Sequence, residues 1–189
     1  GAFTDTIVRT LLDALEEAGY AAILMQSHEQ AEKEAAALHR LLERRVDGIV
    51  ITPILEQVNE EYFWELRRTG VPLVVVDRRF EFVACDFVGS DDRRGACLAG
   101  RHVIDLGHRN IATVAGPQNS YTGRERLQGL KDACVERGIA LRPDCVIECP
   151  YTEEGNARAE EEVRRLLREV PDITAVVCAT DPFAFAACD

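Results

Sequence analysis

The side chains best suited to chemistry in this sequence are a carboxylate at Asp77, a guanidinium at Arg126 and a phenol at Tyr151. Hydroxyls at Ser120, Thr122 and Thr180 and a second carboxylate at Asp181 join them. A carboxylate accepts protons from a bound hydroxyl, a guanidinium donates to two oxygens at once, and an aromatic face offers an apolar platform. That is chemistry for holding a small polar molecule rather than for breaking one. No G-x-G-x-x-G follows a strand-like run, no phosphate-binding loop occurs, and no Ser/His/Asp or Cys/His set has a supporting context. The sequence reads as a binding protein rather than an enzyme, with no cofactor.

Metal ligation is poorly served. The four histidines (28, 39, 102, 108) show no paired ligand spacing, and the seven cysteines (85, 97, 134, 145, 149, 178, 188) form an odd set without a CxxC pair. Cysteines scattered through apolar segments predict buried, reduced thiols of a cytoplasmic protein. His108, directly after Gly107, reads as a turn residue. The acids Glu153, Glu154, Glu160, Glu161 and Glu162 alternate with Arg158, Arg164 and Arg165, which predicts a solvated helix face rather than a metal cluster.

The elements that must position these groups follow from composition and periodicity. The 189 residues are 47% hydrophobic and 29% charged, a core-forming balance. Net charge is −11, and both halves, split at Gly89, carry more acidic than basic residues. Neither half offers the positive field that nucleic acid requires. No run approaches the ~20 apolar residues of a membrane span, and the first residues lack a signal peptide's basic start and apolar core.

Ile7, Leu11, Ala14, Leu15 and Ala18 fall on one helical face, and Gly19 ends that helix. Strand-like runs at Ala21–Met25, Asp47–Ile51 and Leu73–Val76 alternate with helical spacing over about 29–45 and 57–69. A linking stretch from Phe82 to Ser90 follows. Helices are then predicted over about 91–106, 121–137 and 153–169, strands over 110–115, 144–149 and 173–179, and a last helix from Asp181. Apolar runs without polar alternation, separated by helices, predict βαβ units with helices on both faces of a parallel sheet. The expectation is an α/β fold of two doubly wound lobes, 1–89 and 90–189. The chain opens on a helix without a preceding strand and closes as a helix begins, so the first lobe is expected to lack its first strand and the second its last part. In such sheets ligands sit beyond the carboxyl ends of the strands. That rule selects Asp77, the loop and helix start from Gln118 to Arg126, the Pro150-Tyr151 turn, and Thr180-Asp181.

Several motifs occur in one order: Arg45-Val-Asp-Gly-Ile-Val50, Val74-Val-Val-Asp-Arg78, Val88-Gly-Ser-Asp-Asp-Arg-Arg-Gly-Ala96, Leu106-Gly-His-Arg-Asn-Ile-Ala112, Ala115-Gly-Pro117, Thr122-Gly-Arg-Glu-Arg-Leu-Gln-Gly129 and Ala179-Thr-Asp-Pro182. Together they resemble the effector-binding core of the lactose/galactose-repressor (LacI/GalR) family, over essentially the whole chain. The resemblance implies a periplasmic-binding-protein-like fold around a cleft, and a fragment without the DNA-binding headpiece, the first strand and the last part of the core. It implies a small-molecule effector, a sugar or a nucleobase-like compound, and operator DNA reached only through the absent headpiece. It also implies a homodimer, no membrane, and Phe3 as a further ligand residue. A solute-binding protein of a transporter has the same fold and is the alternative.

Each candidate has a plainer use. Arg126, the best match to the family's ligand arginine, could pair with Glu125 or Asp132 on a helix surface. Asp77 could cap the turn near Phe80, and Ser120 or Thr122 could cap the following helix. Tyr151 could pack on its own lobe, Phe3 could staple its helix, and Asp181 could cap the helix at Pro182. Thr180 stands where many relatives carry asparagine, which keeps the ligand class open. Phe183 and Phe185 read as packing residues.

Overall fold

The structure, a computed structural model, describes residues 2–28, 30–54, 60–79 and 85–188, and only the backbone of Ala2, Phe3 and Glu60. Its Cα packing forms two compact units, Gly1–Arg45 and Val46–Asp189. The first holds α1 (Ala2–Glu17) and α2 (Ala31–Glu43). Helix α1 stops where Gly19 takes φ +80° and the Tyr20 N–H reaches back to the Leu15 carbonyl at 2.9 Å. A left-handed glycine closes the orphan carbonyls of a helix in this way. The strand expected over Ala21–Met25 is not formed. A strand is a pairing as much as a pattern, and no strand among the described residues pairs with this run, leaving Ile23 and Leu24 exposed.

The second unit holds two separate parallel sheets. The first has the order β1-β2-β3, with β1 Ile49–Ile51, β2 Leu73–Val76 and β3 Asp86–Val88, and α3 spans Glu60–Arg68. Ile49, Leu73, Val75, Phe63 and Leu66 are buried. Strand β3 falls in the stretch read from sequence as a linker. Only its middle residue, Phe87, is even half-buried, so the edge strand lacks the apolar run that marks an inner one.

The second sheet has the order β5-β4-β6: β4 Ile111–Ala115 at the centre, β5 Val146–Glu148 and β6 Ala175–Cys178 on either side. Asp144 and Cys145, expected to begin β5, instead belong to a 3₁₀ turn, Pro143–Cys145. Helices α4 (Asp92–Asp105), α5 (Tyr121–Glu136), α6 (Glu153–Glu169) and α7 (Asp181–Cys188) surround it. Every residue of β4 is buried. Ala112 and Val114 pack with Ala159, Val163, Leu166 and Phe183, while Ile111 packs with Ile104, Leu130, Ala133 and Cys134. Alternate side chains thus enter two helical layers, the doubly wound arrangement expected from the unbroken apolar run. Cys134, Cys145 and Cys149 are buried as expected, but Cys85, Cys97 and Cys178 are half-buried and Cys188 is exposed.

Helices α4 and α5 approach closely because glycine stands at their contact. A Cβ on Gly100 would lie 2.8 Å from Leu130 Cδ1 and 2.9 Å from Ala133 Cβ, and one on Gly129 would collide with the Arg93 carbonyl oxygen. Gly95, in the same α4, faces open space. Gly129→Ala is therefore expected to lower stability by about 1–3 kcal/mol through overpacking, whereas Gly95→Ala leaves it unchanged or raises it by up to about 1 kcal/mol. Urea denaturation of both variants checks the contrast, and equal effects would contradict this packing.

Candidate functional site

The Gln118–Arg126 segment is organised by helix capping. The Ser120 hydroxyl accepts from the Gly123 N–H at 3.1 Å and donates to the Pro117 carbonyl at 2.7 Å. Ser120 is thus the N-cap of α5, the plainer of its two expected uses. Thr122, two residues into the helix, is buried, and Arg126 lies one turn further on the same face.

Arg126 pairs with neither Glu125 nor Asp132. Its Nε donates to Oδ1 of Asp92 at 2.7 Å, and Nη1 donates to the Ala179 carbonyl at 2.9 Å. Asp132 instead takes Arg93 at 2.6 Å and Gln128 at 2.8 Å. The Asp92 side chain is only 5% exposed and that of Arg126 28%. Asp92 escaped the sequence reading, although two adjacent acids at a helix start are a usable signal: only one can cap. Asp91 accepts from the Arg94 N–H at 3.1 Å, which frees Asp92 for another partner.

Tyr151 follows β5 and stacks on Phe183, ring centroids 5.8 Å apart at 25°. Its hydroxyl presses on Gly116, where any Cβ would collide with the phenol. The glycine of Ala115-Gly116-Pro117 therefore admits the ring. Burial pushes the Tyr151 phenol up, opposed by the charge of Arg126 and by hydrogen bonding from Thr122 and Arg126. Tyr151 thus packs on its own layer and also presents its hydroxyl beside Thr122 and Arg126.

Asp77 follows β2 with φ +67°, a left-handed conformation that aspartate tolerates better than most side chains. Its N–H still bonds the Val88 carbonyl at 2.9 Å. Burial raises its pKa, against the lowering charges of Arg78 and Arg126, and the nearby Asp92 raises it further. Asp77, Asp92, Arg126, Tyr151 and Thr122 consequently form one electrostatic cluster drawn from both sheets. Beside it, the Arg79 guanidinium lies 5.6 Å from the ring centroids of both Phe87 and Tyr121.

The remaining candidates fall differently. The Thr180 hydroxyl is 3.5 Å from the Phe183 N–H, at the N-cap position of α7, and Asp181 is exposed in that helix's first turn. Among the described residues, neither side chain hydrogen-bonds to the cluster. The side chain of Phe3, like Phe80, lies outside the described residues. Phe183 packs as expected, but Phe185 is 73% exposed. His108 is the turn residue expected, its Nδ1 2.9 Å from the Thr174 hydroxyl. A cavity of about 270 Å³ opens between α4, α5 and the second sheet, lined mainly by Ala96, Ala99, Ala115, Leu127, Leu130 and Val177. It meets the cluster only at Asp92 and Arg126, and its apolar walls suit hydroxyl recognition less well than the cluster does. Among the described residues, no group of three or more His, Cys, Asp or Glu could hold a metal ion, and no helix is long and apolar enough to cross a membrane.

Comparison with known proteins places this geometry among relatives. The pattern of a family described as periplasmic binding proteins and sugar binding domain of LacI family matches residues 2–189. The arabinose metabolism transcriptional repressor of Halalkalibacterium halodurans is 32% identical over 188 residues, which cover 97% of this chain and 50% of that protein. The structure of transcription regulator CcpA of Lactococcus lactis is similar at TM-score 0.85 and 25% identity, covering 100% of this chain and 67% of that one. A complex of the transcriptional regulator CelR with cellobiose is similar at TM-score 0.77 and 29% identity, covering 93% and 52%. The chain spans about half the length of the curated relatives it matches.

The raised pKa of Asp77 has a sign that can be measured. A carboxyl whose folded pKa lies above its unfolded value binds protons more tightly when folded. Its ionisation therefore weakens the fold as pH rises from the unfolded value, 3.8, through the folded one. Asp77→Asn, which suits the same backbone, is expected to raise the denaturation midpoint at pH 7 relative to the parent. The gain should fade as the pH falls below about 4. Chemical denaturation across that range checks it, and a gain independent of pH would refute the assignment.

Proposed function

The chain belongs to the family of periplasmic binding proteins and LacI-type sugar-binding domains, and from that membership we propose that it senses a small-molecule effector, a sugar in the first instance, on behalf of a DNA-binding transcriptional repressor. The observation that carries this reading is the convergence of Asp77, Thr122, Arg126 and Tyr151. The charge of Arg126 acts on both Asp77 and Tyr151, across the two sheets. Asp77 would accept from ligand hydroxyls, and Arg126 and Tyr151 would donate to ligand oxygens. Thr180 and Asp181 are proposed at the margin of the site, and Ser120 supports it as the cap of α5.

In this reading residues 1–89 and 90–189 act as two lobes, and effector binding favours one inter-lobe arrangement over another. A ligand shifts such an equilibrium only by its difference in affinity for the two states. Operator DNA would be read by a headpiece outside these residues, in a cytoplasmic homodimer whose two-fold symmetry matches a palindromic site. The matched relatives named as regulators favour this role over a transporter's solute-binding protein, and over an enzyme.

Calorimetric titration of the full chain with a panel of pentoses, hexoses and disaccharides, with purine bases as the comparison arm, tests the proposal. Arg126→Gln keeps a donor for Asp92 but removes the charged fork. It is expected to weaken effector binding by about 1.5–3 kcal/mol, roughly ten- to a hundredfold. Unchanged affinity would refute the site.

A further inference from the structure

The polar cluster holds one cation, Arg126, and its charge is already matched by a carboxylate. Arg126 gives its Nε to the buried carboxylate of Asp92 at 2.7 Å and one Nη1 hydrogen to the Ala179 carbonyl at 2.9 Å. A guanidinium has five N–H donors in a fixed fork, so both contacts fix its plane and leave the others for ligand. The contact with Asp92 also cancels its charge. Across the site, Asp77 has Arg78 as its neighbour in sequence, and the next cation, Arg79, lies over the Phe87 and Tyr121 rings. Within the cluster itself, the single guanidinium of Arg126 faces two carboxylates, Asp92 at 2.7 Å and Asp77, whose ionisation its charge favours.

A ligand entering such a site exchanges water for hydrogen bonds. A neutral polyol makes that exchange well, because charge-assisted N–H groups and carboxylate oxygens both suit hydroxyls. A phosphate or carboxylate gives up a far larger hydration energy and meets, at Arg126, a charge already matched by Asp92. We infer that Asp92 is a specificity-determining residue: by holding and neutralising Arg126 it sets the site to take an uncharged polyhydroxylated ligand and to reject an anionic one. The inference rests on the effector-binding reading above. Asp92 acts through Arg126, so it is a positioning residue with an electrostatic consequence.

The test compares neutral probes (L-arabinose, D-ribose, D-galactose and cellobiose) with anionic ones (D-galacturonate and ribose 5-phosphate), by calorimetry on the full chain and on Asp92→Asn. The amide keeps an oxygen that can accept from Arg126 Nε but leaves the guanidinium charge unmatched. The parent chain is expected to bind a neutral probe at least tenfold more tightly than its anionic counterpart. Asp92→Asn is expected to shift that ratio toward the anion by about tenfold or more, most strongly at low salt, where exposed charges are least screened. The double variant Asp92→Asn, Arg126→Gln is expected to return the preference to the neutral probe. A purely structural Asp92 would weaken both classes alike and leave the ratio unmoved, which overturns the inference. So does a parent chain that binds the anion as tightly as the sugar, a measurement that stands even if Asp92→Asn does not fold. A parent that binds only a purine base also overturns the inference but leaves the effector-binding reading standing, whereas failure to bind any probe, purines included, removes that reading and the inference with it.

Discussion

A nearly buried carboxylate facing one guanidinium organises this structure: Asp92 at the start of α4 and Arg126 on α5, 2.7 Å apart. Such a pair adds little net stability, because desolvating two charges costs about what their attraction returns. Removing one partner, however, strands the other at a cost of about 3–5 kcal/mol. The pair is therefore a constraint more than a source of stability. With the Ala179 carbonyl at 2.9 Å, it ties two helices to the end of β6 and fixes the plane of the one guanidinium the candidate site uses. The other ion pairs between α4 and α5, Arg93–Asp132 and Arg101–Glu136, are well formed but largely exposed. Water screens them, and they orient nothing in the site.

The start of α5 serves two purposes at once. A helix N-terminus must satisfy its free N–H groups, and Ser120 does so through Gly123. Because the cap consumes Ser120, the next polar residue, Thr122, is left for the Tyr151 side, and one turn later Arg126 reaches Asp92. Two glycines make the arrangement possible by absence of bulk. A Cβ on Gly123 would collide with the Pro117 carbonyl oxygen, and one on Gly116 with the Tyr151 phenol.

Much of this was legible in the sequence, and the failures share a cause. Strands β2, β4 and β6 and helices α4 to α6 carry local signals, apolar runs and amphipathic spacing, and they fall where those signals put them. The edge strand β3 and the run Ala21–Met25 were misread because pairing is not local: one gained a neighbour that its composition did not advertise, and the other found none among the described residues. For the same reason the positions of Asp77, Arg126 and Tyr151 beyond strand ends could be inferred, whereas the partner of Arg126 could not. Asp92 lies 34 residues away in sequence, and only packing of α4 on α5 brings it close. Sequence suggested surface partners within one turn, but burial selected a remote one.

The cluster also shows what folding leaves unfinished. Asp77 sits in a left-handed conformation with its ionised form disfavoured by burial, and the Tyr151 phenol is likewise pushed up by burial. A fold selected for stability alone would relieve such positions with apolar side chains, because a desolvated polar group without full compensation weakens the native state. On the function proposed above, polar groups with perturbed ionisation gathered where strands end form a surface shaped for a second molecule. What that molecule must bring follows from what is already spent. Arg126 has committed its charge to Asp92, so the hydrogen bonds it still offers favour hydroxyl oxygens over a phosphate or a carboxylate.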